Sequence, residues 1–292
     1  MEIGKTFVNL EYYNQNMQKG LEDKLFFLNH LDLKEGGDYI FVDFGCADGT
    51  LISAMCDILG DKDINVYYIG YDISETMIEL AKTRFSHKSD NVMFTTSWDD
   101  VKEKLELYSR MESILILSSV IHEVFSYAES AKDIFDFFDK LNSGFRYICI
   151  RDMMCSEDLD RDVFDSDKDY NIMHAVKEAF PCGEGKWLRE FEREYGSISH
   201  MKNLVHFLLK YRWKINWDRE LHENYFCTTI DEFLKHMNLY FNIDYLERFR
   251  VPFLEQCWKE DFGIELDDYT HVKMILERKK NEKDERGDDK ES

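Results

Sequence analysis

The sequence has little proline and no long apolar run, which excludes several classes of protein. Only 2 prolines and 14 glycines occur in 292 residues, and this composition argues against a disordered or fibrous chain. No apolar run approaches the roughly 20 residues that a membrane span requires, and the first residues lack the apolar stretch of a secretion signal. We therefore expect a cytoplasmic protein that does not associate with membranes.

Paired cysteines are also missing. None of the seven cysteines lies in a C-x-x-C pair, so neither a zinc site nor a disulfide framework is indicated. The acidic run at Asp158, Asp160 and Asp162 has the spacing of a calcium loop. However, Val163 replaces the required glycine, and Asp169 replaces the glutamate at the twelfth position. We therefore expect reduced thiols and no bound metal.

Positive charge is scarce as well. The chain has 37 basic and 59 acidic residues, for a formal net charge of -22. A protein this acidic repels the backbone of nucleic acids on average. The composition therefore disfavours a nucleic-acid partner and favours a small-molecule or cationic substrate.

The first 150 residues alternate between short apolar runs and helical patterns. Strands are predicted at residues 39–42, 66–71, 91–95, 113–119 and 145–150. This alternation is typical of a doubly wound α/β fold with a mostly parallel sheet. It resumes after an insertion of about 75 residues, which is longer than an ordinary connection in a compact domain, with a capped helix and two further strands.

These patterns divide the chain into four parts. Residues 1–37 form an N-terminal helical segment, and residues 38–152 together with 228–278 form the α/β core. Residues 153–227 form a helical cap that we expect to contact the substrate, and the charged tail at 279–292 is predicted to be disordered.

The loop after the first strand is the strongest functional signal. Residues 43–50 read DFGCADGT, and glycine there lets the backbone approach a ligand closely. The helix that follows offers free N–H donors at the carboxyl end of a strand, where open α/β sheets bind ligands. Counted from Gly45, a dinucleotide loop needs glycines where this chain has Ala47 and Thr50. The Lys-Ser or Lys-Thr pair of a P-loop is also missing.

The segment VDFGCADGTL at residues 42–51 resembles the first motif of class I S-adenosylmethionine-dependent methyltransferases. The resemblance implies S-adenosylmethionine as the cofactor and a seven-stranded sheet whose last strand is antiparallel. It also implies that the loop wraps the methionine part of the cofactor. The residues in this role are Asp43, which would lie near the amino group, Gly45, Cys46 and Gly49.

Two later segments complete the predicted cofactor site. Asp72 ends the second strand, and an ionised carboxylate there can accept hydrogen bonds from both ribose hydroxyls. Ile73 follows it. After the third strand, the family usually contacts adenine through a Gly-Asp pair, whose positions hold Ser97 and Trp98 here. Trp98 could stack on adenine, or Asp99 could accept from its amino group.

The residues after strands four and five are the candidates for catalysis and substrate binding. The resemblance places Ser118 at the cofactor, and His122 and Glu123 near the transferred methyl group. His122 could act as a general base or support the loop, and Glu123 could hold a substrate amine or hydroxyl. Arg151 could anchor a substrate carboxylate or phosphate, or pair with a nearby aspartate.

The sequence thus predicts an S-adenosylmethionine-dependent methyltransferase that acts on a small molecule. Two alternatives stay open at this point. The chain could bind the cofactor as a sensing module without transferring methyl, or it could be a NAD-dependent oxidoreductase on a similar sheet. Methylation of nucleic acid is disfavoured by the charge.

Overall fold

The computed structural model describes residues 20–85, 90–180 and 185–280. The first 19 residues of the predicted N-terminal segment and the predicted tail from residue 281 lie outside these ranges. The strands are β1 (Asp38–Phe44), β2 (Asn65–Tyr71), β3 (Val92–Thr95), β4 (Glu112–Ser118), β5 (Tyr147–Met153), β6 (Phe241–Phe249) and β7 (His271–Arg278). The helices are α1 (Leu21–Lys24), α2 (Thr50–Leu59), α3 (Glu75–Arg84), α4 (Trp98–Leu107), α5 (Ile121–Tyr127), α6 (Ala131–Leu141), α7 (Asp167–Ala179), α8 (Lys186–Tyr195), α9 (Met201–Lys210), α10 (Trp217–His222), α11 (Ile230–Met237) and α12 (Pro252–Phe262).

The seven strands form one sheet in the order β3-β2-β1-β4-β5-β7-β6. Strands β1 to β5 pair in parallel, whereas β7 is antiparallel to both of its neighbours, β5 and β6. This confirms the predicted doubly wound, seven-stranded sheet with an antiparallel last strand. The strand order reverses between β1 and β4, and open α/β sheets bind ligands at the carboxyl ends of the strands beside such a switch point.

Strand β1 shows why the sheet is covered on both faces. Its residues from Tyr39 to Phe44 are all buried, as expected for a parallel strand between two layers of helices. Val42 and Phe44 belong to a hydrophobic cluster on one face, and Phe41 belongs to the cluster on the other face. Asp43 is the polar exception in this run, and it lies at the end of the strand where a ligand is expected.

The insertion folds into helices α7 to α10 and short 3-10 turns, with a hydrophobic cluster of its own. Leu254 and Trp258 of α12 also belong to that cluster, so one helix of the predicted core packs on the predicted cap. The described part of the N-terminal segment, from residue 20 onward, is helical in two short pieces, α1 and a 3-10 turn at Phe26–Asn29. Among the described residues, none of the helices combines the length and apolar character needed to cross a bilayer.

Candidate cofactor and acceptor site

The loop between β1 and α2 has an unusual backbone. Gly45 and Gly49 have φ angles of 79° and 75°, and Ala47 has a φ of 46°. Glycine adopts positive φ angles without strain, whereas the left-handed conformation of Ala47 is strained. A side chain at Gly45 would also bring its Cβ to 2.9 Å from Cγ2 of Val120. The glycines therefore shape a backbone cradle that side chains would fill.

This cradle forms one wall of a cavity whose empty space is about 360 Å³, including space open to solvent. Four of the predicted cofactor residues line it, and Gly49 caps the adjoining helix α2. The residues that line the cavity are Leu21, Lys24, Asp43, Gly45, Cys46, Ala47, Asp48, Thr50, Leu51 and Ser118.

Asp43 is the buried acid of the cavity, with only 3% of its surface exposed. Burial raises the pKa of Asp43 to about 7, although the nearby Lys24 ammonium works in the opposite direction. Burial and Arg151 together lower the pKa of Lys24 to about 8. The cavity therefore holds two groups whose charged forms are poorly solvated, and a ligand with charges of its own would stabilise them.

Asp72 ties the end of β2 to the first loop. One carboxylate oxygen accepts from the N–H of Ala47 at 2.9 Å, and the other accepts from the N–H of Ser74 at 2.8 Å. Burial raises the pKa of Asp72, against these two bonds. Each oxygen has a second lone pair, so the carboxylate can still accept from ribose hydroxyls. Ile73 beside it is 36% exposed.

The adenine contact expected from Trp98 is not supported by the structure. The Trp98 side chain is buried in the core, with its ring centroid 5.5 Å from that of Phe44 and 5.2 Å from that of Tyr71. The cause is its place on the first turn of α4, whose apolar face packs on the sheet. Ser97 caps α4 through its hydroxyl, and Asp99 is exposed and paired with a lysine.

His122 forms a buried pair with a carboxylate that the sequence analysis left without a role. Its Nδ1 lies 2.6 Å from Oδ1 of Asp152, whose side chain is fully buried. Asp152 also accepts from the N–H groups of Val120 and Ile121 at 2.9 and 2.7 Å. Burial lowers the pKa of His122, but Asp152 and Glu223 outweigh burial, so the net shift is upward. The two residues therefore have the arrangement of a general base and its orienting acid.

The cap supplies two further charged groups to this cluster. Arg219 of α10 pairs with Glu123 at 2.7 Å and with Glu223 at 2.6 Å. Burial and Glu223 raise the pKa of Glu123 to about 7, against the effect of Arg219. Ligand atoms of His122, Glu123 and Glu223 lie within 4.8 Å of one another. A metal ion could bridge this spacing, but the Arg219 guanidinium already pairs with both carboxylates.

Arg151 adopts the second of its two predicted roles, because it pairs with an aspartate. It donates to Asp23 of α1 at 3.0 Å and to the hydroxyl of Ser119 at 3.1 Å. Lys273 of β7 reaches the same aspartate at 2.5 Å. This network ties α1 to the sheet, and a direct contact between Arg151 and substrate stays a prediction.

The residues that line the cavity fit a cationic cofactor better than a phosphorylated one. Asp43 and Asp48 line it directly, and Asp72 lies at its edge. The pyrophosphate of NAD would face these carboxylates, whereas the sulfonium and ammonium groups of S-adenosylmethionine would be attracted by them. The glycine cradle leaves the backbone open to that ligand.

The sequence matches a family model described as "Methyltransferase domain" over residues 36–223, which is well over half of the chain. This chain belongs to that methyltransferase family. Its cofactor is S-adenosylmethionine, as the first loop and the acidic cavity indicate. The match covers the first loop, Asp72, the His122 pair and most of the cap.

Several solved structures are similar to this methyltransferase at low identity. One is the plantazolicin methyltransferase BamL, with 12% identity, coverage of 94% of this chain and 90% of that chain, and a TM-score of 0.46. Another is an S-adenosylmethionine-dependent methyltransferase from Mesorhizobium loti, with 16% identity, 89% and 100% coverage, and a TM-score of 0.46. A third is geranyl diphosphate C-methyltransferase from Streptomyces coelicolor A3(2), with 13% identity, 88% and 79% coverage, and a TM-score of 0.46. Comparison with curated protein sequences gave no match.

Lys24, Asp152, Glu223 and Arg219 are the site residues that sequence reasoning missed. Lys24 gave a weak signal, because it lies three residues after Leu21 and so shares the apolar face of the N-terminal helix. Glu223 and Arg219 gave none, since they come from the cap and meet Glu123 only in the folded chain.

Proposed function

We propose that this methyltransferase transfers the methyl group of S-adenosylmethionine to an amine of a small molecule, with His122 as the general base. The observation that carries the proposal is the buried His122–Asp152 pair at the carboxyl edge of the sheet. The acidic groups around it supply the argument for a cationic acceptor.

The pair lies beside the cofactor cavity. Ser118, the last residue of β4, lines the cavity, and His122 follows four residues later on the first turn of α5. Asp72 raises the pKa of Glu123, and Glu123 in turn raises that of Lys24. We place the cluster at His122 next to the cofactor cavity on the basis of this short separation in sequence and these electrostatic interactions.

The chemistry assigned to the pair is removal of a proton. An amine bound as an ammonium ion has no free electron pair, so Nε2 of His122 must take one proton before the nitrogen can attack. Asp152 holds Nδ1, which orients the ring and stabilises the imidazolium that forms. The cofactor, which the loop after β1 would hold, would supply an electrophilic methyl group on sulfur, and the bond from methyl to sulfur would break as the bond to nitrogen forms. His122 then passes its proton to solvent, while Asp152 keeps the ring oriented.

The charges of the cluster favour a cationic acceptor. Glu123 and Glu223 are two largely buried carboxylates that share the single guanidinium of Arg219. Burial and the neighbouring Glu223 raise the pKa of Glu123 despite Arg219, which favours a second cation at this carboxylate. An ammonium group would supply the missing positive charge.

The burial of the cluster favours a small acceptor. The side chains of His122 and Glu223 are each only 4% exposed, and Arg219 of the cap covers them. A polymer would have to open the cap to reach them. The net charge of -22 also works against nucleic acid.

The test uses purified full-length protein, cofactor labelled in its methyl group and a fractionated extract. We expect label in a small cationic product that is separated by chromatography from the unreacted cofactor, which a cation exchanger also retains. Because a general base contributes about 10²- to 10⁴-fold, His122→Asn should lower kcat by at least about 100-fold. His174→Asn is the matched control, since His174 is an exposed histidine on α7, and it should leave kcat unchanged.

Three outcomes would contradict the proposal. Label in the protein or nucleic-acid fraction would assign a different acceptor, and an active His122→Asn variant would remove the base. Cofactor binding with no label in any fraction would favour the sensing module instead.

A further inference from the structure

Helix α1 is held against the sheet at the edge where the cofactor cavity opens. Asp23 accepts from Arg151 at the end of β5 and from Lys273 at the start of β7, at 3.0 and 2.5 Å. Both cations are themselves largely buried, at 10% and 13% exposure. These contacts fix the position of the next residue, Lys24.

Lys24 lies inside the cavity wall rather than at its solvent rim. Only 8% of its surface is exposed, and it lines the cavity together with Asp43 and Ser118. Lysine is almost never this buried unless it has a partner. Its charge interacts with that of Asp43 across the same cavity.

The cavity therefore presents one cation and one buried anion to the methionine part of the cofactor, which carries an ammonium and a carboxylate. We propose that Lys24 binds the carboxylate of this part while Asp43 binds its ammonium. Among the described residues that line the cavity, Lys24 is the one cationic side chain, and the other charged ones are Asp43 and Asp48. The α1 lysine thus belongs to the cofactor site, which extends beyond the α/β core.

A competing explanation makes the opposite prediction. Lys24 could occupy the place of the cofactor's ammonium in the ligand-free protein, so that the cofactor must displace it. Removal of the lysine would then strengthen binding, whereas removal of a carboxylate ligand would weaken it.

Calorimetric titration separates the two explanations without any acceptor. The ligands are S-adenosylhomocysteine and its decarboxylated analogue, and the proteins are wild type, Lys24→Met and Lys34→Met. Lys34 is 70% exposed and controls for the loss of one positive charge. Loss of a charge-assisted hydrogen bond predicts about 10- to 100-fold weaker binding of S-adenosylhomocysteine to Lys24→Met. The decarboxylated analogue should bind wild type and Lys24→Met equally, and Lys34→Met should resemble wild type with both ligands.

If Lys24→Met does not fold, wild type alone provides a second measurement. Wild type should bind S-adenosylhomocysteine about 10- to 100-fold more tightly than the decarboxylated analogue. Three results would overturn the proposal. Lys24→Met could bind S-adenosylhomocysteine more tightly than wild type does, or it could bind both ligands more weakly by the same factor. Wild type could also bind the two ligands with equal affinity. These results concern the cofactor alone, so they are independent of the proposed acceptor and of His122.

Discussion

Replacement of Asp43 by asparagine should stabilise the ligand-free protein near neutral pH while it weakens cofactor binding. Asp43 is buried at the end of β1, and burial raises its pKa from 3.8 to about 7. The folded protein therefore holds the protonated acid over a pH range in which the unfolded chain has already released the proton. Asparagine has nearly the same shape and no charge to desolvate.

The sign and size follow from linkage. A carboxyl group whose pKa is raised on folding contributes stability that is complete below its unfolded pKa and is lost as the pH rises through the folded pKa. One pH unit within this window corresponds to about 1.4 kcal/mol. Between pH 5 and pH 7, wild type should therefore lose about 2 kcal/mol relative to Asp43→Asn, once the approach to the folded pKa is included.

Urea unfolding of both proteins, followed by tryptophan fluorescence at pH 5, 6 and 7, measures this difference. The comparison is between variants at each pH, so the contributions of titrating groups that do not interact with Asp43 cancel. If the free energies of unfolding of wild type and Asp43→Asn changed by the same amount between pH 5 and pH 7, the assigned burial of the Asp43 charge would be refuted. In a separate titration of the folded proteins at pH 8, where wild type carries the ionised acid, Asp43→Asn should bind S-adenosylhomocysteine more weakly than wild type.

Three further substitutions test other parts of the structure. Gly70→Ala should destabilise the fold by about 1–3 kcal/mol in urea unfolding, because the new Cβ would lie 2.4 Å from the Phe94 ring; a second change, Phe94→Leu, should restore part of the loss. Trp98→Phe should leave the Kd for S-adenosylhomocysteine unchanged in calorimetry, since the ring packs in the core, and a large loss of affinity would revive the adenine contact. Asp152→Asn should lower the free energy of unfolding by about 3–5 kcal/mol, because the buried network loses a negative charge and one of its two acceptor oxygens. The surviving enzyme should show a much lower kcat, and a variant of unchanged stability would refute the assigned network around His122.

The fold was predictable because its signals are local. Each parallel strand is a short apolar run, and the helices that follow β2 and β3 are capped by Ser74 and Ser97. The sheet order beyond this alternation came from the resemblance of residues 42–51 to a known motif. The first loop was predictable for the same reason, since Asp43, Gly45 and Gly49 are contiguous in sequence.

The remainder of the site depends on contacts between distant segments. Glu223 and Arg219 are about 100 residues from Glu123, and no periodicity marks them as its partners. The burial of Trp98 was not predictable, because a position after β3 does not reveal which way its side chain points. The first turn of α4 directs the ring toward Phe44 and Tyr71.

The same carboxylate links the stability of the protein to its function. Asp43 costs stability at neutral pH because its charge is buried and poorly solvated. A cationic cofactor restores the interactions that water would have made, so its binding must lower the pKa of Asp43 and release a proton below pH 7. Affinity for the cofactor should then fall as the pH drops through this range, since binding has to displace that proton. A substitution of Asp43 that stabilises the ligand-free fold would therefore remove the group that selects a cationic ligand. This is a physical reason for a methyltransferase to keep a destabilising carboxylate at the end of β1.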